Sequence, residues 1–357
     1  SINKSTVNQE TMQQDHAVFL TYKESGSEDL NSIVCKTLDR IRTRVAEGQF
    51  KNALEVTVNP AFDDIPASYL ETVKDVLEER DIIIICSQTN YHEEIVKKIK
   101  PYIVNTDVVY IQPGYASTAY FIKNNIQCTI VEAQSSPIDC RVTSNGEAEV
   151  LFKNVRNPIG IYPKQNLDTA RIKLDQLDFN FVYLKNIFEA ALHNPNLIVH
   201  TIGAIMSIPR IEYSKGDYWM YKEVFTPSVW NLVENLDQEK NNILLSLGLP
   251  ILSYVDACKY RNFHDLTIDS KSAFFDYAMN HSPKGPDISN SRYITEDVSQ
   301  GLVLLESLGK LLSVETPLVT SLINLANFSL NRDFRVDGRT VENLGLTAEL
   351  INLLVKE

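Results

Sequence analysis

The stretch Asp81–Ser87, DIIIICS, decides the fold, because four consecutive isoleucines stand between polar residues. A short, continuous apolar run of this kind is typical of a strand that is buried on both faces of a parallel sheet. Similar runs follow at Asp107–Gln112 and Cys128–Ala133, with helical patterns between them at Tyr91–Lys100 and Ser117–Asn125. Strand and helix alternating at this spacing predict an α/β, doubly wound parallel sheet.

The pattern extends toward both ends of the chain. On the N-terminal side, His16–Tyr22 predicts a strand, and Glu28–Ala46 and Ala67–Glu79 predict helices. Shorter β-like pieces in residues 139–163 are expected to finish the sheet. After about Asn180 the strand signals fade and helical patterns dominate. We therefore predict a Rossmann-like domain over residues 1–178 and an all-α domain over residues 179–357. The predicted helices of the second domain are Val182–His193, Pro227–Leu247, Pro250–Tyr260, Ser270–Met279, Gly301–Leu312 and Thr316–Leu330.

The composition narrows the classes of function. The 357 residues have a net charge of −12, which argues against nucleic acid and anionic membrane as partners but permits a local basic pocket. No apolar run reaches the roughly 18–20 residues that a membrane-spanning helix needs. The five cysteines are scattered and the six histidines form no metal-binding motif. We therefore expect reduced thiols, a cytoplasmic protein and no bound metal.

The chain lacks a glycine-rich loop where a dinucleotide-binding sheet would need one. In such sheets the first strand ends in GxGxxG, and the following helix N-terminus holds the pyrophosphate. Here the first glycine is Gly26, and GxGxxG does not occur. Residues 5–14 have the pattern of the helix that follows such a loop, without an apolar strand before it. Two explanations stay open: the sequence begins just after the first strand, or the chain has lost cofactor binding.

Several loops are nevertheless candidates for a nicotinamide dinucleotide. In a dinucleotide-binding sheet, an acid at the position just past the predicted strand His16–Tyr22 would hydrogen-bond the ribose hydroxyls of NAD. This chain has Tyr22 and Lys23 there, which favours NADP(H) over NAD(H), although Lys23 could equally be an ordinary solvated lysine. Ligands bind at the carboxyl ends of parallel strands, where two further loops lie. The candidate cofactor contacts are Tyr22, Lys23, Ser87, Gln88, Pro113 and Gly114.

Two distant segments supply residues for acid–base chemistry. The segment Ser291–Val298, SRYITEDV, contains an arginine and two acids, and the segment Asn194–His200, NPNLIVH, ends in a histidine. A histidine paired with a carboxylate is a tuned acid–base catalyst, and an arginine beside it can clamp a carboxylate. Other interpretations remain open. His200 lies in an apolar segment and could be a satisfied core residue, and Arg292 and Asp297 could form a helix-end ion pair.

The order and spacing of these pieces resemble the opine dehydrogenases, the octopine/nopaline dehydrogenase family. Asn196 precedes His200 by four positions, and the Arg-Tyr-x-x-Glu-Asp-Val segment follows about ninety residues later. The resemblance extends over roughly residues 80–346 and is poor before residue 60. It implies an N-terminal Rossmann-like domain and a helical substrate domain. It also implies an NAD(P)H-dependent enzyme that joins an amino acid to a 2-oxo acid such as pyruvate and reduces the imine.

The resemblance also implies roles for individual residues. His200 would be the acid–base catalyst and Asp297 would fix its tautomer, with Glu296 as the alternative acid. Arg292 would clamp the carboxylate of the 2-oxo acid. Asn196 would orient the substrate or contact the nicotinamide amide, and Thr226 would lie at the amino-acid pocket.

Two other functions compete with this one. A ketopantoate reductase or 3-hydroxyacid dehydrogenase relative would need a catalytic lysine, and the segment around His200 has none. A non-catalytic ligand-binding relative would have lost the phosphate loop. The C-terminal pattern Ala348–Val355 could form a homodimer face or complete the core.

Overall fold

The computed structural model describes residues 16–22, 52–58, 82–142, 148–177 and 179–356, with backbone alone for 16–22, 52–58, 140–142 and 148–151. Several predictions lie outside the described residues: Lys23, the side chain of Tyr22, Gly26, residues 5–14, and the helices at Glu28–Ala46 and Ala67–Glu79.

A seven-stranded sheet forms the first part of the molecule. Its strands are β1 His16–Tyr22, β2 Asn52–Val58, β3 Ile82–Ile85, β4 Val108–Ile111, β5 Thr129–Ala133, β8 Asn157–Tyr162 and β9 Phe181–Tyr183. They lie in the order β2-β1-β3-β4-β5-β8-β9. The first five are parallel, β8 runs antiparallel to β5, and β9 runs parallel to β8. Strands β6 (Ile138–Val142) and β7 (Ala148–Lys153) form a separate antiparallel pair.

The isoleucine run is buried on both faces of the sheet, as predicted. Ile83 and Ile85 pack into a core that continues into the helical domain, whereas Ile82 and Ile84 pack into a smaller core on the opposite face. The strand order reverses between β1 and β3, because β2 lies on one side and β4 and β5 on the other. In open α/β sheets, ligands bind outside the carboxyl ends of the strands at this reversal. That rule directs attention to the residues just after β3 and β4.

The helices beside the sheet are α1 His92–Ile99, α2 Thr118–Lys123 and α3 Leu167–Leu174. The predicted helix Val182–His193 is wrong in its first half. Residues 181–183 pair with 157–159 as strand β9, and α4 begins only at Ile187 and ends at Leu192. The Asn186 side chain sets that start, because it accepts the backbone N–H groups of Phe188 and Glu189, each at 3.1 Å.

The second part of the molecule is helical, which confirms the predicted fold class. Its α-helices are α5 Asn196–Ser214, α6 Met220–Glu223, α7 Pro227–Ser246, α8 Tyr254–Asn262, α9 Ser270–Asn280, α10 Arg292–Thr295, α11 Val303–Leu312, α12 Pro317–Leu330, α13 Val341–Leu344 and α14 Ala348–Lys356. A π-helix, Asp297–Leu302, lies between α10 and α11. Within the described ranges, no helix has both the length and the apolar character needed to cross a membrane.

The start of α8 differs from the prediction, which put it at Pro250. The helix begins at Tyr254 because the Ser253 side chain accepts the Asp256 backbone N–H at 3.1 Å and caps it there.

Candidate active site

A cavity of about 460 Å³ lies where the loops after β3 and β4 meet the helical domain. Six of the predicted site residues line it: Ser87, Gln88, Pro113, Asn196, His200 and Arg292. The first three follow strands of the sheet and the last three belong to helices α5 and α10. The cavity is therefore formed by both parts of the chain, at the reversal of strand order.

A hydrogen-bonded chain of three buried side chains lies at this cavity. His200 Nδ1 is 2.9 Å from Asp297 Oδ2, and the Tyr115 hydroxyl donates to Asp297 Oδ1 at 3.0 Å. His200 is 6% exposed and Asp297 is 2% exposed. The Asp297 carboxylate can only accept hydrogen bonds, so Nδ1 of His200 must carry the proton that it donates to Asp297. Nε2 is then the basic nitrogen of the neutral His200 ring.

The plane of the imidazole is fixed as well as its tautomer. The Tyr293 ring stacks on the His200 ring, with centroids 3.8 Å apart and planes 5° from parallel. Tyr293 lies one residue after Arg292, so α10 supplies both the ring that positions the histidine and the guanidinium beside it. Arg292 is half exposed at the cavity, where its charge is accessible to a ligand.

The two adjacent acids have different partners. Asp297 contacts the histidine, whereas Glu296 accepts hydrogen bonds from the backbone N–H and the hydroxyl of Thr89, at 2.8 and 2.9 Å. Burial and the neighbouring Asp297 raise the pKa of Glu296 above its usual range. Arg292 is 3.9 Å from Glu296 Oε2. The geometry therefore pairs His200 with Asp297 and not with the alternative, Glu296.

The loop after β4 holds Tyr115 in place. Buried Glu132 accepts the backbone N–H groups of Ala116 and Thr118, at 2.8 and 2.6 Å. Tyr115 and Ala116 both have positive φ, a conformation that side chains other than glycine rarely adopt. The buried guanidinium of Arg339 donates to the carbonyls of Gly114 and Tyr115, at 2.7 and 2.6 Å.

Tyr115, Glu132 and Arg339 were not predicted as site residues. Tyr115 comes directly after Pro113 and Gly114, which were predicted because they follow a parallel strand. The same reasoning could have identified Tyr115. Arg339 lies in a C-terminal segment that resembles the family, but nothing in the sequence indicates its partners.

Some predicted residues lie elsewhere. Thr226 is exposed at the start of α7 and does not line the cavity. Gly114 also does not line it; its carbonyl binds Arg339 and its Cα packs against Glu132.

The cavity contains polar atoms that suit a dinucleotide. Ser87 Oγ and Gln112 Oε1 are buried, have no hydrogen-bond partner among the described residues, and belong to residues that line the cavity. Such atoms normally have a partner, so a ligand with hydroxyl or amide groups fits here. Among the described side chains, no group of three or more His, Cys, Asp or Glu residues could hold a metal ion.

Comparisons with known proteins find similarity to opine dehydrogenases. Residues 183–330 match the family model described as NAD/NADP octopine/nopaline dehydrogenase, alpha-helical domain. An opine dehydrogenase of Arthrobacter sp. (strain 1C) is 27% identical over 282 residues, which covers 76% of this chain and 77% of the relative.

Solved structures share the fold. Octopine dehydrogenase with NADH and L-arginine superimposes with a TM-score of 0.67 at 14% identity, covering 96% of this chain and 98% of that chain. The same enzyme with NADH and pyruvate gives 0.63 at 13% identity, covering 96% and 99%. Yersinopine dehydrogenase with NADP+ gives 0.60 at 10% identity, covering 96% and 98%. The helical part of this chain is thus similar to the octopine/nopaline dehydrogenase family model, and the chain as a whole is similar to an opine dehydrogenase.

Proposed function

We propose that this protein is an NAD(P)H-dependent opine dehydrogenase, which condenses an amino acid with a 2-oxo acid such as pyruvate and reduces the imine. The observation that supports this most is the His200–Asp297 pair at 2.9 Å, whose histidine lines the same cavity as Arg292, at the carboxyl ends of parallel strands. It unites an acid–base catalyst, a carboxylate clamp and a position for the cofactor.

The first step is imine formation. Arg292 binds the carboxylate of the 2-oxo acid by two parallel hydrogen bonds, which a lysine could not reproduce. Nε2 of neutral His200 accepts a proton from the ammonium group of the amino acid, because only the free amine attacks the carbonyl carbon. The C–N bond forms, water leaves, and Asp297 stabilises the resulting imidazolium.

The second step is reduction of the imine. A nicotinamide held at this cavity would supply hydride to the imine carbon. Protonation of the imine nitrogen makes that carbon more electrophilic. The His200 imidazolium holds the proton that this nitrogen needs, so one histidine serves both steps. Asn196 lines the same cavity and orients the substrate or the nicotinamide amide.

The proposal extends to cofactor choice. Solved relatives bind either NADH or NADP+. Tyr22 ends strand β1 and Lys23 is the next residue in the sequence. A cation at this point of the chain suits a 2′-phosphate, so we propose a preference for NADP(H). The ratio of kcat/KM for NADPH and NADH tests this, and an equal or reversed ratio would contradict it.

The proposal also covers location and assembly. The described cysteines Cys86, Cys128 and Cys258 are not in disulfide bonds, which supports a cytoplasmic location. A homodimer through α14 is the assembly to test. Light scattering after size exclusion measures it, and a monomer mass would reject it.

The experiment that tests the function is a panel of amino acids with pyruvate, with oxidation of NADPH or NADH followed by absorbance and the product identified by mass spectrometry. His200→Gln should lower kcat by about 10²–10⁴-fold, the usual contribution of a general acid–base. His193→Gln is the matched control, because His193 is equally buried, at 6% exposure, but does not line the cavity. Undiminished condensation by His200→Gln would reject the mechanism.

A further inference from the structure

Arg261, near the end of α8, is a second arginine at the cavity and, unlike Arg292, it is buried. It is 7% exposed and lines the same cavity as Arg292. Its Nε donates to Asn262 Oδ1 at 3.0 Å, and its Nη2 is 3.7 Å from the Cys258 sulfur. Its Nη1 is buried without a hydrogen-bond partner in the described part of the chain.

A buried guanidinium in this state is unusual. Arginine stays charged in proteins and has five N–H donors, and a buried charge is costly unless an anion and hydrogen bonds compensate it. Arg335 has the Glu306 carboxylate at 2.7 Å, and Arg339 has four oxygen acceptors. Arg261 has one amide oxygen and one distant sulfur, and no described carboxylate pairs with it. An anionic ligand in the cavity that Arg261 lines would supply such an acceptor.

We propose that Arg261 binds a carboxylate of the amino-acid substrate, as a second anion anchor beside Arg292. This rests on the proposed function. The condensation joins two molecules that each bear a carboxylate, and one arginine clamp can hold only one of them in a two-point contact. The neighbouring cation, Lys259, already donates to the Ile268 carbonyl at 3.2 Å. Arg261 is therefore the residue on α8 whose donors still require an anion.

The test compares three amines with pyruvate as the common partner: L-glutamate, L-glutamine and 4-aminobutyrate. Glutamate has both an α-carboxylate and a side-chain carboxylate, glutamine has only the first, and 4-aminobutyrate has only the second. KM for each is measured with the wild type and with Arg261→Met, which keeps the length of the side chain without its charge. A second variant, Arg261→Lys, keeps the charge without the planar fork.

If Arg261 binds the α-carboxylate, Arg261→Met raises KM about 10–100-fold for glutamate and glutamine, the loss expected for a charge-assisted hydrogen bond, and leaves 4-aminobutyrate unchanged. If it binds the side-chain carboxylate, KM rises for glutamate and 4-aminobutyrate and stays unchanged for glutamine. In both cases KM for pyruvate stays constant, and Arg261→Lys restores less than the full affinity. Equal changes for all three amines, or no change, would overturn the proposal.

Arg156→Met is the control for damage to α8. Arg156 donates to the carbonyls of Tyr260 and Phe263 at 2.8 Å each, so it stabilises the same end of the helix without lining the cavity. Arg156→Met should lower Tm but should not change KM for one of the three amines relative to the others.

Failure of the proposed function has a distinct signature, because the wild type would then oxidise NAD(P)H with none of the amines. Calorimetric titration of glutamate then tests the anchor separately. Binding by the wild type that weakens in Arg261→Met supports it, and absent or equal binding rejects it.

Discussion

At the scale of single residues, the two oxygens of Asp297 have separate partners. Oδ2 contacts the His200 ring and Oδ1 accepts the Tyr115 hydroxyl. Burial raises the pKa of Tyr115 well above its usual range, so the phenol keeps its proton and remains a donor. The carboxylate is thus held on both sides, and the imidazole that it orients is held with it.

Replacing Asp297 should therefore impair chemistry more than binding. Asp297→Asn can present its amide N–H group to Nδ1, which reverses the tautomer, so kcat should fall by about 10²–10⁴-fold, as when a histidine loses its orienting acid. Tyr115→Phe leaves the acid in place and should reduce kcat far less. Steady-state kinetics with both variants, together with titration of the cofactor, checks this. Equal losses in the two variants would contradict it.

His193 makes stability depend on pH. Burial and the nearby Lys240 charge lower its pKa to about 3, so the folded protein keeps this imidazole neutral. The unfolded chain binds a proton near the ordinary pKa of about 6.5. The unfolded state therefore binds more protons below that pH, and stability falls as the pH drops from about 6.5 toward 3.

Through His193 alone, the free energy of unfolding should decrease by about 2 kcal/mol as the pH falls from 6.5 to 5. Urea unfolding at a series of pH values measures it. His193→Gln should flatten this dependence, whereas His281→Gln, at an exposed position, should not. An unchanged slope in His193→Gln would contradict the prediction.

The sequence predicted the central groups of the site but not their support. His200, Arg292 and Asp297 were predicted from residue type and from an order and spacing that resemble the opine dehydrogenases. Tyr115 contacts Asp297 across 182 positions, and Arg339 contacts Thr89 across 250. Such contacts depend on how a loop packs against a helix, which no local pattern specifies.

At the scale of elements, the loop after β4 depends on close packing. An added Cβ at Gly114 would lie 1.9 Å from Glu132 Oε2 and 2.7 Å from Glu132 Cβ. Glu132 cannot easily move away, because Ala116 and Thr118 hold its carboxylate. Position 114 therefore has room for glycine but not for a residue with a Cβ atom.

Gly114→Ala should reduce stability by about 1–3 kcal/mol, the usual cost of overpacking, and should also lower kcat by displacing Tyr115. Gly203→Ala is the control, because its added Cβ would meet the flexible Met220 sulfur at 2.8 Å. Denaturant unfolding and kcat are measured for both. If Gly114→Ala lost neither, the loop would not position the site.

Local patterns predicted most elements in the described sheet, and their failures have physical causes. The strand Phe181–Tyr183 is three residues long and forms only by pairing with β8. The helix Asn196–Ser214 was not predicted as an element. It is buried over most of its surface, so its apolar residues show no one-sided periodicity.

At the scale of the whole molecule, Arg339 joins the two parts of the chain. Its guanidinium binds the carbonyls of Thr89, Gly114 and Tyr115 in loops of the sheet, and also the Gln300 side chain in the π-helix. Losing this group removes one donor from each of these four oxygens, although Ser117 still donates to the Gly114 carbonyl and His92 to the Thr89 carbonyl.

Arg339→Met should reduce the free energy of unfolding by about 3–5 kcal/mol, as expected when a buried charged network loses its centre. Arg332→Met, which breaks an exposed pair with Asp337 at 3.1 Å, should cost less than about 1 kcal/mol. Urea unfolding compares them. Similar values for the two variants would show that Arg339 does not join the domains.

The π-helix Asp297–Leu302 makes the chain sensitive to changes of length. A π-helical turn holds one more residue than an α-helical turn, and each α-helical residue rotates by about 100°. Removing any one residue between Val298 and Leu302 would restore an ordinary helix. The carboxylate that faces the imidazole and the apolar face of α11 could then no longer both keep their directions. A substitution in this segment keeps the direction of Asp297 relative to α11. A single-codon deletion changes that direction, even at a position whose own side chain is dispensable.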